Sequence, residues 1–244
     1  MKILVLGDIE GRSCWKNIVD IEKPDKVIFL GDLANTHFKG IITNEMCIDN
    51  FKDVLKFYDE YEGEVIILRG NHDLDMIGDY PWAECYPRSN KVSQAIIHYK
   101  YEWLKKSQWI YLYKNICFSH AGVSSIWMEN NNIKTLEEIN TLPPSEVFAF
   151  TGKMSDYTGD SSTQPPTWIR PWTLVDCGYK GVIHVVGHTS VKPGIRNIKE
   201  EYIKQGFSKE ELDQLVDVWC CDQLPREYLI IDNDKFIVKK NETN

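Results

Sequence analysis

One pattern occurs three times near the start of the chain: four apolar residues in a row are followed, within two residues, by a glycine and a polar side chain. The runs lead to Gly7-Asp8, Gly31-Asp32 and Gly70-Asn71. Such runs are typical of strands buried on both faces of a parallel sheet. Apolar residues at helical spacing lie between them, which predicts two successive β-α-β units with right-handed crossovers. The chain should therefore adopt an α/β fold whose polar residues collect at one edge of a sheet.

Two later apolar runs continue the pattern and end in histidine. One leads from Ile116 to His120, and the other leads from Val182 to Gly187-His188. Carboxylate, amide and imidazole side chains bind divalent metal ions in proteins. Five strand ends therefore bring together six such side chains, which are Asp8, Glu10, Asp32, Asn71, His120 and His188. This set predicts a site for two metal ions.

In this order, the five blocks resemble the signature of the calcineurin-like metallophosphoesterases: Gly-Asp-x-His-Gly, Gly-Asp, Gly-Asn-His-Asp/Glu, an isolated His before small residues, and Gly-His-Thr. The resemblance spans residues 1 to about 189. It is strongest to the phosphoprotein-phosphatase branch, which includes bacterial and phage-type protein phosphatases and symmetrical diadenosine tetraphosphate hydrolases. It implies an α/β fold, a two-sheet mixed β-sandwich flanked by helices. It also implies hydrolysis of phosphate esters by a hydroxide that two divalent metal ions activate.

The resemblance further implies a role for each matching residue. Asp8 and Glu10 would hold the first metal ion, and Asp32 would bridge both ions. The second ion would be held by the three remaining ligands, Asn71, His120 and His188.

Four other residues would act on the substrate. His72 follows a ligand directly, so its imidazole can protonate the leaving alkoxide as a general acid. Asn35 stands where this branch carries the Asp that steadies the catalytic imidazolium. Arg69 and Arg170 can grip phosphate oxygens with their forked donors. Arg170 belongs to Trp168-Ile169-Arg170, which resembles a Trp-x-Arg segment of the bacterial phosphatases.

Two positions depart from the family pattern. Glu10 stands where the family has His, and its hard oxygen should favour Mn²⁺ or Mg²⁺ over Zn²⁺ or Fe. Alternatively, Glu10 is misdirected and the first metal position is weak or empty. Asn35-Thr36 replaces Asp-Arg, so His72 should be a stronger acid and stabilisation of the transition state weaker. Phosphate binding would then depend more on Arg69 and Arg170.

These departures leave several functions open. The first is a metal-dependent serine/threonine-type phosphoprotein phosphatase. The alternatives are a nucleotide or dinucleotide polyphosphate hydrolase, a phosphodiesterase, and a degenerate relative that binds a phosphorylated ligand without turnover. Selectivity should reside in residues 74–90 and 124–172, whose aromatic residues can stack a base or pack in the core.

The composition of the chain limits its expected binding partners and its expected cellular location. The net charge of −8 argues against stable nucleic-acid binding. No apolar run approaches the ~20 residues of a membrane span, and we expect the apolar part of the start to be too short for a signal peptide. Seven cysteines at irregular spacings fit a reducing compartment. We therefore expect one cytoplasmic domain, residues 1–244, with a phosphorylated protein or nucleotide as substrate.

Local patterns predict several element boundaries. Ser13 should cap a first helix, and Asn44 a second helix over 45–61. A helix over 92–105 and a hairpin around residues 113–115 should follow. Ser208 opens a capping box for a helix through Val216. Of the remaining histidines, His184 should be a core residue, His37 a loop residue and His98 a structural residue of its helix.

Overall fold

The computed structural model describes residues 1–34, 41–77, 90–147 and 158–242. The chain forms two compact units. Unit 1 comprises Met1–Gln108 and Gln223–Asn244, and unit 2 comprises Trp109–Asp222. Each unit contains one mixed sheet with helices, which confirms the predicted α/β class and its two mixed sheets. A single domain over the whole chain stays a prediction.

The sheet of unit 1 contains the three strands with which the sequence pattern begins. Its strands are β1 (Lys2–Leu6), β2 (Lys26–Phe29), β3 (Glu64–Leu68), β4 (Ser107–Gln108), β10 (Glu227–Asp232) and β11 (Lys235–Lys240). They lie in the order β11-β10-β1-β2-β3-β4. Strands β1 to β4 are parallel, whereas β10 runs antiparallel to both β1 and β11. The two predicted β-α-β units are thus confirmed, and the first three strands end at the same edge.

The helices of unit 1 begin and end close to the predicted residues. They are α1 (Cys14–Glu22), α2 (Asn44–Glu60), α3 (Asn71–Ile77), α4 (Asn90–Ile96) and α5 (Lys100–Lys106). The predicted helix over 92–105 is wrong as one element, because a 3-10 turn at Ile97–Tyr99 separates α4 from α5.

Two of the predicted helix caps in unit 1 differ from the structure. Ser13 occupies the N-cap position of α1 but makes no side-chain cap bond, since its ψ of 0° is not the extended conformation of a cap. The cap of α2 is Thr43 rather than Asn44, and its hydroxyl accepts from the Met46 N–H at 3.2 Å.

The sheet of unit 2 contains the two strands that lead to histidine. Its strands are β5 (Ile110–Tyr113), β6 (Ile116–Ser119), β7 (Ile183–Val186), β8 (Arg196–Asn197) and β9 (Val218–Cys220), in the order β5-β6-β7-β9-β8. Strands β6, β7 and β9 are parallel. The predicted hairpin is confirmed, because β5 pairs antiparallel with β6.

The helices of unit 2 are short. They are α6 (Ser125–Asn130), α7 (Pro144–Val147), α8 (Pro171–Cys177), α9 (Lys199–Lys204) and α10 (Lys209–Leu212). A 3-10 helix spans Glu137–Thr141. The capping box at Ser208 and Glu211 is present. However, α10 ends before Val216, whose N–H bonds the Val175 carbonyl at 2.9 Å and so leaves the helix.

No helix among the described residues is long and apolar enough to cross a membrane.

Candidate active site

Polar residues collect where β1, β2 and β3 of unit 1 end. Asp8 and Glu10 follow β1, Asp32 follows β2, and Asn71 and His72 follow β3. All five are at most 7% exposed. Burying ionisable groups costs free energy unless each finds a partner or a cation. The parallel strands therefore create one buried, polar edge.

Asp8 and Asp32 form the part of this edge that suits a metal ion. A carboxylate oxygen of Asp8 and one of Asp32 lie within 4.8 Å of each other. Two buried carboxylates at this separation repel each other unless a positive charge lies between them. Divalent cations take such oxygens as ligands. These two residues therefore fit a divalent metal ion, and their roles as metal ligands stay a prediction.

The backbone is strained at three of the predicted ligands. Glu10 has φ of 43°, Asp32 has 52° and His188, in unit 2, has 59°. This left-handed region costs residues other than glycine about 1–2 kcal/mol each. Strain of this kind collects at functional sites, where the surrounding structure holds it in place.

Asp73 fixes the backbone around Asp32. Its buried carboxylate accepts N–H bonds from Asp32 at 2.8 Å, Leu33 at 2.7 Å and Gly70 at 3.1 Å. Gly70 allows this approach, since a Cβ there would lie 2.1 Å from Asp32 Oδ1. Asp73 thereby joins the segments that follow β2 and β3. Sequence reasoning assigned it no role, although a carboxylate in the first turn of α3 was a usable signal.

His72 lies beside Asp32. Its backbone N–H donates to Asp32 Oδ1 at 2.9 Å, and its Nε2 lies 3.9 Å from Asp32 Oδ2. The residue is buried, with 7% of its surface exposed. An imidazole in this position can carry a proton next to the carboxylate. This arrangement suits the predicted general acid, a role that stays a prediction.

Glu10 makes an ion pair that the sequence analysis missed. Arg12 Nη1 donates to Glu10 Oε2 at 3.1 Å, and it also approaches the carbonyl oxygens of Ile9 at 3.3 Å and Asp8 at 3.4 Å. Both side chains are buried. Burial raises the pKa of the Glu10 carboxyl, and the Arg12 guanidinium opposes that shift. The proximity of opposite charges two residues apart, across a glycine, was the available signal.

Unit 2 brings its two predicted metal ligands together. His120 follows β6 and His188 follows β7, and the two parallel strands place them side by side. The Gly187 N–H donates to the His120 carbonyl at 2.8 Å, and the two imidazole rings lie 5.0 Å apart by centroid. The Trp168 ring lies 5.3 Å from that of His188. A pair of adjacent imidazoles is a suitable part of a metal site.

Arg170 lies beside this histidine pair. Its Nη1 donates to Thr189 Oγ1 at 3.0 Å, and its Nε donates to the Thr158 carbonyl at 2.9 Å. The guanidinium lies 5.7 Å from the centre of the Trp168 ring, a cation-π distance. Three contacts thus hold the Arg170 guanidinium beside Thr189, which directly follows His188. This position suits the predicted phosphate contact.

Arg69 makes structural contacts within unit 1. Its Nε donates to Ser107 Oγ at 3.0 Å, and its Nη2 donates to the carbonyls of Leu104 at 2.9 Å and Ser107 at 2.8 Å. The guanidinium also lies 5.9 Å from the Trp103 ring. These bonds join the end of β3 to the end of α5. A phosphate-binding role for Arg69 stays a prediction.

Some predicted residues lie outside the part of the chain that the structure describes. These are Asn35, Thr36 and His37. His184 is buried on β7 as expected, and its Nε2 lies 3.0 Å from the Tyr179 carbonyl. Burial lowers the pKa of His184 to about 4, so this histidine is neutral at pH 7. His98 is exposed in the 3-10 turn before α5.

Comparisons with known proteins give one family match and several similar folds. The sequence model for the calcineurin-like phosphoesterase family matches residues 1–221. No curated protein matches the chain in sequence.

Three solved structures share the fold, each aligned over 100% of this chain. A cold-active protein-tyrosine phosphatase from a psychrophilic Shewanella species has 16% identity and a TM-score of 0.62, with 78% of that chain covered. A protein serine/threonine phosphatase from Saccharomyces cerevisiae, similar to human phosphatase PP5, has 11% identity and a TM-score of 0.62, with 80% covered. A metallophosphoesterase from Sphaerobacter thermophilus has 14% identity and a TM-score of 0.55, with 90% covered.

Proposed function

Because the chain belongs to the calcineurin-like phosphoesterase family, and is therefore a metal-dependent hydrolase of phosphate esters, we propose that its substrates are serine/threonine phosphoproteins. The observation that carries this proposal is the position of His72 beside Asp32, with Nε2 3.9 Å from a carboxylate oxygen. A serine or threonine alkoxide is a poor leaving group, and its departure requires a proton. A positioned general acid contributes about 10²–10⁴-fold to such a step.

The proposed metal ligands follow the ends of β1, β2 and β3 in unit 1 and of β6 and β7 in unit 2. They are Asp8, Asp32, Asn71, His120 and His188. A divalent ion held by ligands of this kind would polarise a phosphoryl oxygen and lower the pKa of a water molecule. Mn²⁺ is the proposed ion, because three of these five ligands offer oxygen atoms, which suit it. Glu10 is not included, because it pairs with Arg12.

The remaining roles belong to the chain's own side chains. His72 would hold a proton for the leaving oxygen of the substrate. Arg170 would bind phosphate oxygens, since its guanidinium is already held beside Thr189 by a hydrogen bond. Arg69 is a second proposed phosphate contact, and Asn35 is the proposed acceptor for a His72 N–H.

A cytoplasmic location is part of the proposal. Cys47, Cys117 and Cys220 are buried and form no disulfide. Thiols of this kind suit a reducing compartment.

The test compares two substrates that differ in their leaving group. A phosphoserine peptide leaves an alkoxide, whereas p-nitrophenyl phosphate leaves a stable phenolate that needs no proton. With Mn²⁺, His72→Ala should lower kcat/KM for the peptide about 10²–10³-fold. The loss for p-nitrophenyl phosphate should be less than tenfold. His98→Ala, which changes an exposed histidine of unit 1, is the matched control and should alter neither value.

An equal loss on both substrates would contradict the general-acid role. Diadenosine tetraphosphate and bis(p-nitrophenyl) phosphate should be assayed beside the peptide. A higher kcat/KM for either would replace the phosphoprotein proposal with a dinucleotide hydrolase or a phosphodiesterase.

A further inference from the structure

The ion pair between Glu10 and Arg12 lies at a position where the family signature places a metal-binding histidine. We infer that this pair takes the place of one of the two metals, so that the chain binds one divalent ion instead of two. The inference rests on the proposed function, because it assumes that the remaining ligands hold a metal ion.

Arg12 is anchored independently of Glu10. Besides its 3.1 Å bond to Glu10 Oε2, its Nη1 approaches the carbonyl oxygens of Asp8 and Ile9, and the Arg12 N–H donates to the Ile9 carbonyl at 2.8 Å. The guanidinium is therefore fixed in the turn after β1. Since a guanidinium keeps its charge at any physiological pH, it remains a permanent cation beside Glu10.

The turn that carries Glu10 has little freedom to move. The Glu10 N–H donates to the Asp32 carbonyl and the Gly11 N–H to the Leu33 carbonyl, both at 2.9 Å. Gly11 packs so closely that a Cβ there would lie 2.7 Å from Cys47 Sγ. Its φ of 80° is also one that glycine adopts without strain. To reach a metal, the Glu10 side chain would have to leave Arg12 or share its carboxylate between the metal and the guanidinium, and sharing would place two cations side by side in a buried site.

Leaving Arg12 would be costly because both side chains are buried. The exposed fractions are 6% for Glu10 and 8% for Arg12. Removing one partner of a buried ion pair leaves an uncompensated charge. The affinity for a metal that recruits Glu10 should therefore be lowered about a hundredfold or more.

The charges at the edge of unit 1 support a single ion. Four buried carboxylates lie at this edge, those of Asp8, Glu10, Asp32 and Asp73; Arg12 offsets that of Glu10, and three backbone N–H groups bond that of Asp73. One divalent ion offsets the two that remain, which are the pair whose oxygens lie within 4.8 Å. A second divalent ion would leave this edge with excess positive charge next to a buried guanidinium.

The test counts the ions bound by the full chain. Metal-free protein is titrated with Mn²⁺, the bound ions are counted by calorimetry and elemental analysis, and the electron paramagnetic resonance spectrum is recorded. The natural chain should bind one ion per chain and give the spectrum of an isolated Mn²⁺. Arg12→Gln and the double variant Glu10→His with Arg12→Gln should bind two, with the spectrum of an exchange-coupled pair.

Lys16→Gln is the matched control. It removes a cation of α1 that pairs with Asp53 of α2 on the surface of unit 1, so it should leave one bound ion. Two ions of similar affinity in the natural chain would overturn the inference while leaving the proposed function intact. If neither the natural chain nor any variant bound Mn²⁺, both would fail. Circular dichroism checks that each variant folds, and the stoichiometry of the natural chain decides the matter without any variant.

Discussion

At the scale of single residues, the site depends on backbone conformations that residues such as Asp32 rarely adopt. Asp32 has a φ of 52°, yet its segment is held by N–H bonds to a carboxylate 41 residues further along the chain. The side chain of Asp73 thus supplies acceptors that a strand or helix would otherwise provide. Asp73, which is not a proposed metal ligand, thereby fixes the position of Asp32, which is one.

Replacing Asp73 with Asn tests this role. The amide offers one acceptor oxygen and places N–H donors where the carboxylate accepts, so at least one of the N–H bonds from Asp32, Leu33 and Gly70 is lost. A bond to a charged acceptor contributes about 1.5–3 kcal/mol. Hydrogen exchange at these three amides should therefore accelerate about 10–100-fold, and the Mn²⁺ affinity should fall.

The control for this change is Asp53→Asn, which alters a half-exposed carboxylate that pairs with Lys16 on the surface. It should leave exchange at the three amides unchanged. If Asp73→Asn also left them unchanged, the carboxylate would not be what holds the Asp32 segment.

At the scale of elements, α8 connects the core of unit 2 to Arg170. This helix begins at Pro171, with Arg170 at its N-cap. Its Leu174 and Val175 are buried in a cluster with Val186 of β7 and Val218 of β9. The packing of α8 on the sheet therefore determines where the guanidinium of Arg170 lies.

Truncating Leu174 to Ala should destabilise unit 2. The side chain is fully buried, so its loss removes apolar contacts and leaves a cavity that costs about 2–5 kcal/mol. The free energy of unfolding in urea measures the effect. Trp172→Ala, on the same helix but 44% exposed, should cost much less. Equal losses for the two variants would contradict the assigned packing.

The strand ends could be predicted from the sequence because they depend on local pattern. Four apolar residues specify a buried strand, and the residues after it, such as Asp8 and Asp32, are then at the sheet edge. The contacts of Asp73 and Arg12 could not be predicted in this way. Asp73 bonds a partner 40 residues away, and the contact of Arg12 with Glu10 depends on the geometry of a turn. The short length of α10 was missed for a similar reason, since a backbone bond from Val216 to α8 competes with the helix.

At the scale of the molecule, unit 1 joins the two ends of the chain. Glu22 on α1 accepts from Tyr228 on β10 at 2.7 Å and from Lys239 on β11 at 2.8 Å, and it pairs with Lys2 at 2.6 Å. Its carboxylate is buried among these three donors. Residues more than 200 positions apart therefore share one buried charge.

This charge makes the stability of unit 1 depend on pH. Burial by itself would raise the pKa of Glu22, but the bonds from Lys2, Lys239 and Tyr228 outweigh it and lower the pKa from 4.5 to about 2. A carboxyl with a lowered folded-state pKa stabilises the fold above its unfolded pKa, and this contribution is lost as the pH falls from 4.5 to about 2. The shift corresponds to about 3 kcal/mol.

In Glu22→Gln, the free energy of unfolding should therefore be lower at pH 6 by about this amount, and its decline between pH 4.5 and pH 2 should be shallower. Glu210→Gln is the control, because that carboxyl is exposed on α10 in unit 2. Parallel acid profiles for the natural chain and Glu22→Gln would show that Glu22 does not link the two chain ends.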